Sequence, residues 1–226
     1  MLPANKEKIT IDIEEVCRYL GYGNSRPEED VSIMIGDCVD DVYRSAQLRS
    51  VCRRFPVAFP TEDTVRIGGM DIKSSTLSRA LEGCTEAMVF GATVGMGIDS
   101  LIAKATVNNI TRSAIYQAVG AAYIEAYCDL INDDIDTRIR LEGKHTRRRF
   151  SPGYGDFSID CQRGLFDLLD LTRQTGICLT SGMAMTPSKS VTAIVGISCD
   201  GAGDPSGIYE KKCETCTKTD CPYRSI

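Results

Sequence analysis

Apolar positions recur three and four residues apart along much of the chain, and this spacing predicts amphipathic helices. The longest pattern runs from Thr111, which can cap it, to about Arg140. Its apolar face consists of Ile115, Val119, Ala122, Ala126 and Leu130. A second helix is predicted over GLFDLLDLTRQTG and ends at Gly176. Shorter helices are predicted over IDIEEVCRYLGYG, after Pro27 and over SSTLSRALEG.

Short apolar runs bounded by turn residues predict strands between these helices. The predicted strands are VCRRFPVAF, DTVRIGG, GICLTS, SVTAIVGIS and the run EAMVFGATVGMG, which ends in glycines. The predicted helices cover more residues than the predicted strands, and the two do not alternate strictly. This order favours an α+β fold over a doubly wound parallel sheet.

Composition narrows the functional classes. The chain has 226 residues and a formal charge of -5, which suits one compact domain or two small ones. The acidic balance argues against nucleic-acid binding, because phosphate contacts need a basic surface. No apolar run is long enough to span a membrane, and the N-terminal segment lacks the apolar core of a signal peptide. We therefore expect a cytoplasmic protein, without a catalytic triad, since it has one histidine.

The segment RRRFSPGYGD, residues 147–156, carries the most suggestive chemistry. An arginine presents a planar fork of donors that suits a carboxylate, and glycine lets the backbone approach a ligand closely. Such a turn could hold a small zwitterion, with Glu125 of the long helix facing a sulfonium or ammonium group. The alternative is a surface turn with solvated arginines, in which Glu125 is an ordinary residue at the edge of the apolar face.

Two other features favour structural interpretations. The glycines of EAMVFGATVGMG have the spacing of neither a dinucleotide-binding nor a Walker loop, so close backbone packing explains them better than phosphate binding. His145 lies in a polar, basic run. It could ligate cobalt or shuttle a proton, but a solvated side chain is the simpler interpretation.

The C-terminal cysteines predict a metal site. Cys213, Cys216 and Cys221 have the spacing C-x2-C-x4-C, and Cys199 is the nearest candidate for a fourth ligand. Thiolates two residues apart can bind zinc or an iron–sulfur cluster. A disulfide and unligated thiols remain alternatives. An iron–sulfur cluster here could also supply single electrons.

The chain also resembles a known family. RFSPGYGD, followed by LLDLTRQTGICLTSGMAMTPSKSVTAIVG, is similar to the activation (reactivation) domain of cobalamin-dependent methionine synthase, and the whole chain looks like stand-alone relatives of that domain. The resemblance implies a mixed or antiparallel twisted sheet packed with helices over residues 1–205. Residues 206–226 would form a cysteine-rich tail.

The resemblance also implies roles for individual residues. Arg149 matches the family arginine that binds the carboxylate of S-adenosylmethionine, and Glu125 matches a helix glutamate close to the same ligand. Ser151, in the turn with Pro152 and Gly153, matches the position whose backbone contacts the ligand. Tyr154 matches the tyrosine near the methyl sulfonium. Phe150 and Ser151 replace the Pro-Ala of the family turn.

The function implied is support for reductive methylation of cobalamin carried by a partner, either a methionine synthase core or a related corrinoid methyltransferase. A one-electron donor such as flavodoxin or ferredoxin would complete the system. The chain would be a component of that methyl-transfer activity or only its activating subunit. One alternative is a corrinoid-protein partner that caps, senses or passes an electron to cobalamin without using S-adenosylmethionine. A small metal-binding regulatory protein is another.

Overall fold

A computed structural model of the protein describes residues 9–23 and 25–199. Its main feature is a six-stranded antiparallel sheet in the order β3-β2-β1-β4-β8-β5. The strands are β1 (Arg49–Thr61), β2 (Thr64–Ile67), β3 (Met70–Lys73), β4 (Cys84–Thr93), β5 (His145–Phe150) and β8 (Ser190–Ser198). The short strands β6 (Cys178–Leu179) and β7 (Met185–Thr186) pair with each other.

Helices cover both faces of this sheet. The first group consists of α1 (Ile13–Tyr19), α2 (Glu29–Ser45), α4 (Met96–Asn108) and α5 (Ile110–Leu141). The second group consists of α3 (Ser75–Ala80), a 3₁₀ turn (Ile159–Cys161), α6 (Gln162–Leu169) and α7 (Leu171–Thr175). Antiparallel strands with helices on each side confirm the predicted α+β class.

The two faces of the central strand β4 belong to two separate hydrophobic clusters. Phe90 packs with the first group of helices, and its neighbour Val89 packs with the second group. Both side chains are fully buried. Because successive side chains of a strand point to opposite faces, one strand supplies the centre of both clusters. This explains why the strand is apolar along most of its length.

The long helix α5 contains 32 residues and spans the first face of the sheet. Its N-cap is Asn109, whose side chain accepts a hydrogen bond from the backbone N–H of Arg112 at 3.0 Å. The prediction that Thr111 caps the helix was therefore wrong by two positions. The asparagine satisfies an N–H that would otherwise lack a partner in the first helical turn. Tyr123 and Tyr127 are both buried on its inner side.

The helix predicted over GLFDLLDLTRQTG is divided in two. Asp170 has a φ of 51°, in the left-handed region, and separates α6 from α7. Leu169 and Leu171 lie on either side of it and are both fully buried. In one continuous helix these two leucines would point about 200° apart. The break lets both enter the same cluster, and a local helical pattern did not reveal it.

The glycines after β4 serve close packing, as predicted. A Cβ atom on Gly97 would lie 2.2 Å from the backbone oxygen of Ser45 at the end of α2. Helix α4, which the sequence analysis missed, begins at Met96 beside this contact. The glycine therefore lets α4 start directly against α2.

The N-terminal region shares the central sheet with the rest of the described chain. The first part of β1 pairs with β4 and the second part pairs with β2, and Pro56 lies where the pairing changes. Strand β3, which the sequence analysis also missed, pairs with β2. Within residues 9–23 and 25–199, no helix combines the length and apolar character that crossing a membrane requires.

Candidate functional site

An open groove lies between α5, β5 and the turn that follows β5. Its cavity measures about 780 Å³. The helix contributes Glu125, Asp129, Asn132, Asp133, Asp136 and Arg140. The strand, the following turn and the 3₁₀ turn contribute Thr146, Arg147, Arg148, Arg149, Ser151, Pro152, Tyr154 and Ile159. The remaining lining residues are Gln162, Met185, Ser190, Val191, Thr192 and Val195.

A β-bulge in β5 directs the side chains of Arg147 and Arg149 to opposite faces of the sheet. Thr146 pairs with Ile197 and Arg149 pairs with Val195, so three steps along β5 match two steps along β8. The extra residue changes the alternation of side chains between the two faces of the sheet. Arg147 is 6% exposed and donates to the backbone oxygen of Glu82 at 3.4 Å, whereas Arg149 turns towards α5.

Arg149 binds two carboxylates of α5 at once. Its Nη2 atom donates to Glu125 Oε2 at 2.6 Å, and its Nη1 atom donates to Asp129 Oδ1 at 2.5 Å. Burial of the guanidinium group lowers its pKa, but the hydrogen bond to Asp129 and the charges of both acids outweigh this and hold the pKa of Arg149 above its ordinary value. A firmly charged, donor-rich group therefore lies at the wall of the groove.

The turn after β5 is held in one conformation by its own backbone. The N–H of Gly153 donates to the oxygen of Phe157 at 2.7 Å, and the N–H of Phe157 donates to the oxygen of Tyr154 at 3.0 Å. Phe157 also stacks on Phe150, with ring centroids 6.1 Å apart. These contacts leave the side chain of Tyr154 52% exposed at the rim of the groove.

A second anchor ties the same turn to the N-terminus of α3. The carboxylate of Asp156 accepts hydrogen bonds from the hydroxyl of Ser74 at 2.6 Å and from the backbone N–H groups of Ser75 and Thr76 at 2.8 and 3.0 Å. Burial opposes the charge of Asp156, but these hydrogen bonds hold its pKa well below the ordinary value. A Cβ atom on Gly155, whose φ is 57°, would lie 2.8 Å from Thr76 Oγ1. The N-terminal region therefore helps to position the turn.

The floor of the groove is formed by β8 and the start of α6. Thr192 Oγ1 donates to Gln162 Oε1 at 2.7 Å in a buried contact. Val191, Val195 and Met185 add apolar surface beside this pair. The groove therefore combines an apolar floor with charged walls, a combination that suits an organic ligand carrying a few charged groups.

The structure brings most of the predicted ligand-binding residues to one place. Glu125, Arg149, Ser151, Pro152 and Tyr154 line the groove, and Gly153 lies within the same turn without lining it. The sequence analysis expected Glu125 and Arg149 to hold opposite ends of a ligand, whereas here they bind each other.

The sequence analysis missed Asp129 as a partner of Arg149. The sequence position of Asp129 could have indicated this role. It lies one helical turn after Glu125, and residues four apart lie on the same side of a helix. His145 is exposed and does not line the groove.

The predicted metal site falls mostly outside the described residues. Cys213, Cys216 and Cys221 are not among them, and Cys199 is exposed near their end. Within residues 9–23 and 25–199, no cluster of three or more His, Cys, Asp or Glu side chains is arranged to hold a metal ion. The cysteine site therefore stays a prediction.

Comparison with known proteins defines the family. Residues 83–200 match the model of the vitamin B12 dependent methionine synthase activation domain. The chain belongs to this family. Membership supports a role in cobalamin reactivation. The matched residues contain α5, β5, the turn and β8, so every residue that lines the groove lies within the match.

The fold extends the similarity into the N-terminal region. A crystal structure of the MetH reactivation domain bound to AdoHcy superimposes with a TM-score of 0.62 and 14% sequence identity, covering 84% of this chain and 75% of that one. At this identity the comparison establishes the activation-domain fold. No curated protein sequence matches the chain.

Proposed function

We propose that the groove between α5 and β5 binds S-adenosylmethionine, and that the protein supports reductive methylation of cobalamin carried by a partner. The partner would be a methionine synthase core or a related corrinoid methyltransferase. The observation that carries the proposal is the meeting of Arg149, Glu125 and the turn at 151–154 around one open cavity of about 780 Å³. The MetH reactivation domain, which has the same fold, was crystallised with AdoHcy.

The chemistry of the lining residues fits this ligand. A guanidinium group binds a carboxylate with two parallel hydrogen bonds, and Arg149 offers that fork at the wall of the groove. The carboxylate of Glu125 suits a neighbouring sulfonium or ammonium group. The turn at Ser151 and Pro152 can bring backbone polar groups against the ligand, and the hydroxyl of Tyr154 can reach its reactive end. A volume of about 780 Å³ lies within the range of small-molecule sites.

The protein would contribute positioning, since cobalamin supplies the demanding chemistry. In the proposed reaction, a donor such as flavodoxin or ferredoxin would supply one electron to the partner's inactive cobalamin. S-adenosylmethionine would supply the methyl group, and S-adenosylhomocysteine would be the leaving product. Each turnover therefore consumes one electron and one methyl group. None of the groove side chains needs to act as a nucleophile.

A spectroscopic experiment tests the proposal. The protein is mixed with an inactive cobalamin-loaded methyltransferase, a reductant and S-adenosylmethionine, and the cobalt absorption is followed. We expect methylcobalamin only when all components are present, and much less with Arg149→Ala. The matched control is Arg138→Ala, which removes an arginine that lies outside the groove lining and pairs with Asp134. Methylcobalamin formed equally well without this protein would contradict the proposal.

One observation favours a second candidate function. Both terminal nitrogens of Arg149 already bind carboxylates, so this arginine has acidic partners without a ligand. A corrinoid-protein partner that caps or senses cobalamin, or passes an electron to it, would need no exchange at this arginine. In the same experiment, this candidate predicts a change in the cobalt spectrum without methyl transfer and without any requirement for S-adenosylmethionine.

The cysteine tail would add an electron relay if it holds an iron–sulfur cluster, or a structural site if it holds zinc. Metal analysis after anaerobic purification distinguishes these cases. Bound metal that is lost in Cys213→Ser and Cys216→Ser, and reduced in Cys199→Ser, would support the predicted ligand set. A protein free of iron and zinc would exclude both.

A further inference from the structure

The ion pairs around Arg149 engage both terminal nitrogens of its guanidinium group. Glu125 occupies Nη2 and Asp129 occupies Nη1, at 2.6 and 2.5 Å. A ligand carboxylate that binds Nη1 and Nη2 together therefore competes with these two acids for the same nitrogens. Ligand binding at Arg149 is in this respect an exchange of ion pairs.

Exposure identifies which acid leaves more easily. The side chain of Asp129 is 66% exposed, against 38% for Glu125 and 24% for Arg149. An exposed carboxylate is readily hydrated when it loses its partner, and exposed ion pairs contribute little stability. Asp129 is therefore the acid that a ligand displaces at the lower cost, while Glu125 stays on Arg149.

The displaced carboxylate remains beside the ligand. Asp129 lines the same groove, one helical turn from Glu125. In an α-amino acid, the ammonium and the carboxylate are attached to the same carbon, so a ligand that takes Nη1 of Arg149 brings a cation close to Asp129. An opposite charge a few ångströms away compensates a carboxylate for the arginine it has lost.

Charge balance makes the exchange selective. Arg149 with Glu125 and Asp129 carries a net charge of -1, from one cation and two anions. S-adenosylmethionine carries a net charge of +1, because its sulfonium adds to a zwitterionic amino acid, whereas S-adenosylhomocysteine is neutral overall. Complementary charges therefore favour the first ligand over the second at this cluster.

We propose that Asp129 exchanges Arg149 for the ammonium group of the ligand, and that this exchange makes the groove prefer a sulfonium methyl donor over its demethylated product. The inference rests on the proposed function, since it takes S-adenosylmethionine as the ligand. It gives Asp129 a binding and selecting role. After methyl transfer, the product has lost the sulfonium charge and therefore binds the groove more weakly.

Titration calorimetry with three ligands tests this role. The ligands are S-adenosylmethionine, S-adenosylhomocysteine and decarboxylated S-adenosylmethionine, which keeps the ammonium but cannot displace Asp129 from Arg149. We expect Asp129→Asn to weaken S-adenosylmethionine by about tenfold and S-adenosylhomocysteine by about threefold, the scale of a charge-assisted hydrogen bond in a partly exposed site. The decarboxylated ligand, which leaves Asp129 on Arg149, should lose less affinity than S-adenosylmethionine does.

Asp134→Asn is the matched control. It removes one carboxylate from the same helix but lies outside the groove lining, in an ion pair with Arg138 at 2.9 Å. It should leave all three affinities within about twofold. Thermal unfolding of both variants shows whether the fold is intact.

Four outcomes would overturn the inference. Tighter binding of S-adenosylmethionine to Asp129→Asn would mean that Asp129 only competes for Arg149. Equal effects of Asp129→Asn and Asp134→Asn would mean that net charge alone acts. If the wild-type protein binds S-adenosylmethionine and Asp129→Asn binds it equally well, the role of Asp129 fails alone. If the wild-type protein binds none of the three ligands, the proposed function itself fails.

Discussion

Arg112 and Arg149 both contact side chains of the long helix α5 and have similar exposed fractions, 31% and 24%. Arg112 lies in the first turn of the helix. Its Nη2 atom contacts Asp41 of α2 at 3.0 Å, and its Nε atom donates to the hydroxyl of Tyr116 at 3.0 Å. That hydroxyl donates to Asp41 at 2.6 Å, which closes a triangle between the two helices.

The difference between the two arginines lies in what surrounds them. The triangle of Arg112, Asp41 and Tyr116 joins α2 to α5, and its members do not line the groove. Arg149 joins β5 to α5 through contacts of 2.5 and 2.6 Å, but it faces a cavity and a turn. The exposed fraction alone therefore does not separate a structural ion pair from a candidate binding group. Four experiments test whether Arg112 is a structural group and Arg149 a ligand-binding group.

The largest expected effect is on ligand binding at Arg149. Arg149→Ala should weaken binding of S-adenosylmethionine by ~1.5–3 kcal/mol, the usual scale of a hydrogen bond to a charged group. Its free energy of unfolding should change by less than ~1 kcal/mol, because water can reach both Glu125 and Asp129 once the arginine is gone. Titration calorimetry and urea unfolding measure the two quantities. Unchanged affinity together with a large loss of stability would show that Arg149 is a structural group like Arg112.

The next effect is on stability at Asp41. Asp41→Ala leaves Arg112 and Tyr116 without their shared acceptor in a half-buried interface, and should lower the free energy of unfolding by ~1–3 kcal/mol. Affinity for S-adenosylmethionine should not change. If Asp41→Ala binds the ligand as weakly as Arg149→Ala does, the helix–helix triangle and the groove are coupled.

The third effect concerns acid stability. The hydrogen bond from Tyr116 acts against burial and, with Arg44 and Arg112, lowers the pKa of Asp41 from 3.8 to about 2. A carboxyl group whose pKa is lower in the folded than in the unfolded state stabilises the folded protein. This stabilisation is complete above the unfolded-state pKa and is lost as the pH falls through the folded-state pKa. Because the pair is partly exposed, we expect this contribution to be ~1 kcal/mol.

Urea unfolding of the wild type and Asp41→Asn between pH 5 and pH 2, a range set about the two pKa values, isolates this contribution. The stability difference between the two proteins should shrink as the pH falls below about 4. A difference that stays constant over this range would show that the charge of Asp41 contributes no stability.

The smallest effect is expected at an exposed pair on the same helix. Arg138 and Asp134 lie four residues apart with side chains 58% and 37% exposed. Arg138→Ala should change the free energy of unfolding by less than ~0.5 kcal/mol and leave ligand affinity unchanged. Chemical unfolding provides the measurement. A loss as large as that of Asp41→Ala would remove the distinction between the exposed pair and the helix–helix triangle.

Local patterns predicted much of the fold, because helix and strand periodicity follow from side-chain spacing along the chain. The long helix was placed to within two residues of Ile110–Leu141, and β8 was predicted over its observed range. Helix α4 and strands β3, β5 and β7 were missed. The break at Asp170 was also missed, because it depends on where two leucines find room rather than on a local signal.

The sequence by itself determined the family and the chemistry available in the turn at residues 147–156, because these are properties of neighbouring residues. Only the tertiary structure decided how the arginines there are used. The bulge in β5 sends Arg147 to one face of the sheet and Arg149 to the other. The pairing of Arg149 with Asp129 depends on the packing of α5 beside β5. Charges that are 20 residues apart in the chain meet only when a strand and a helix bring them together.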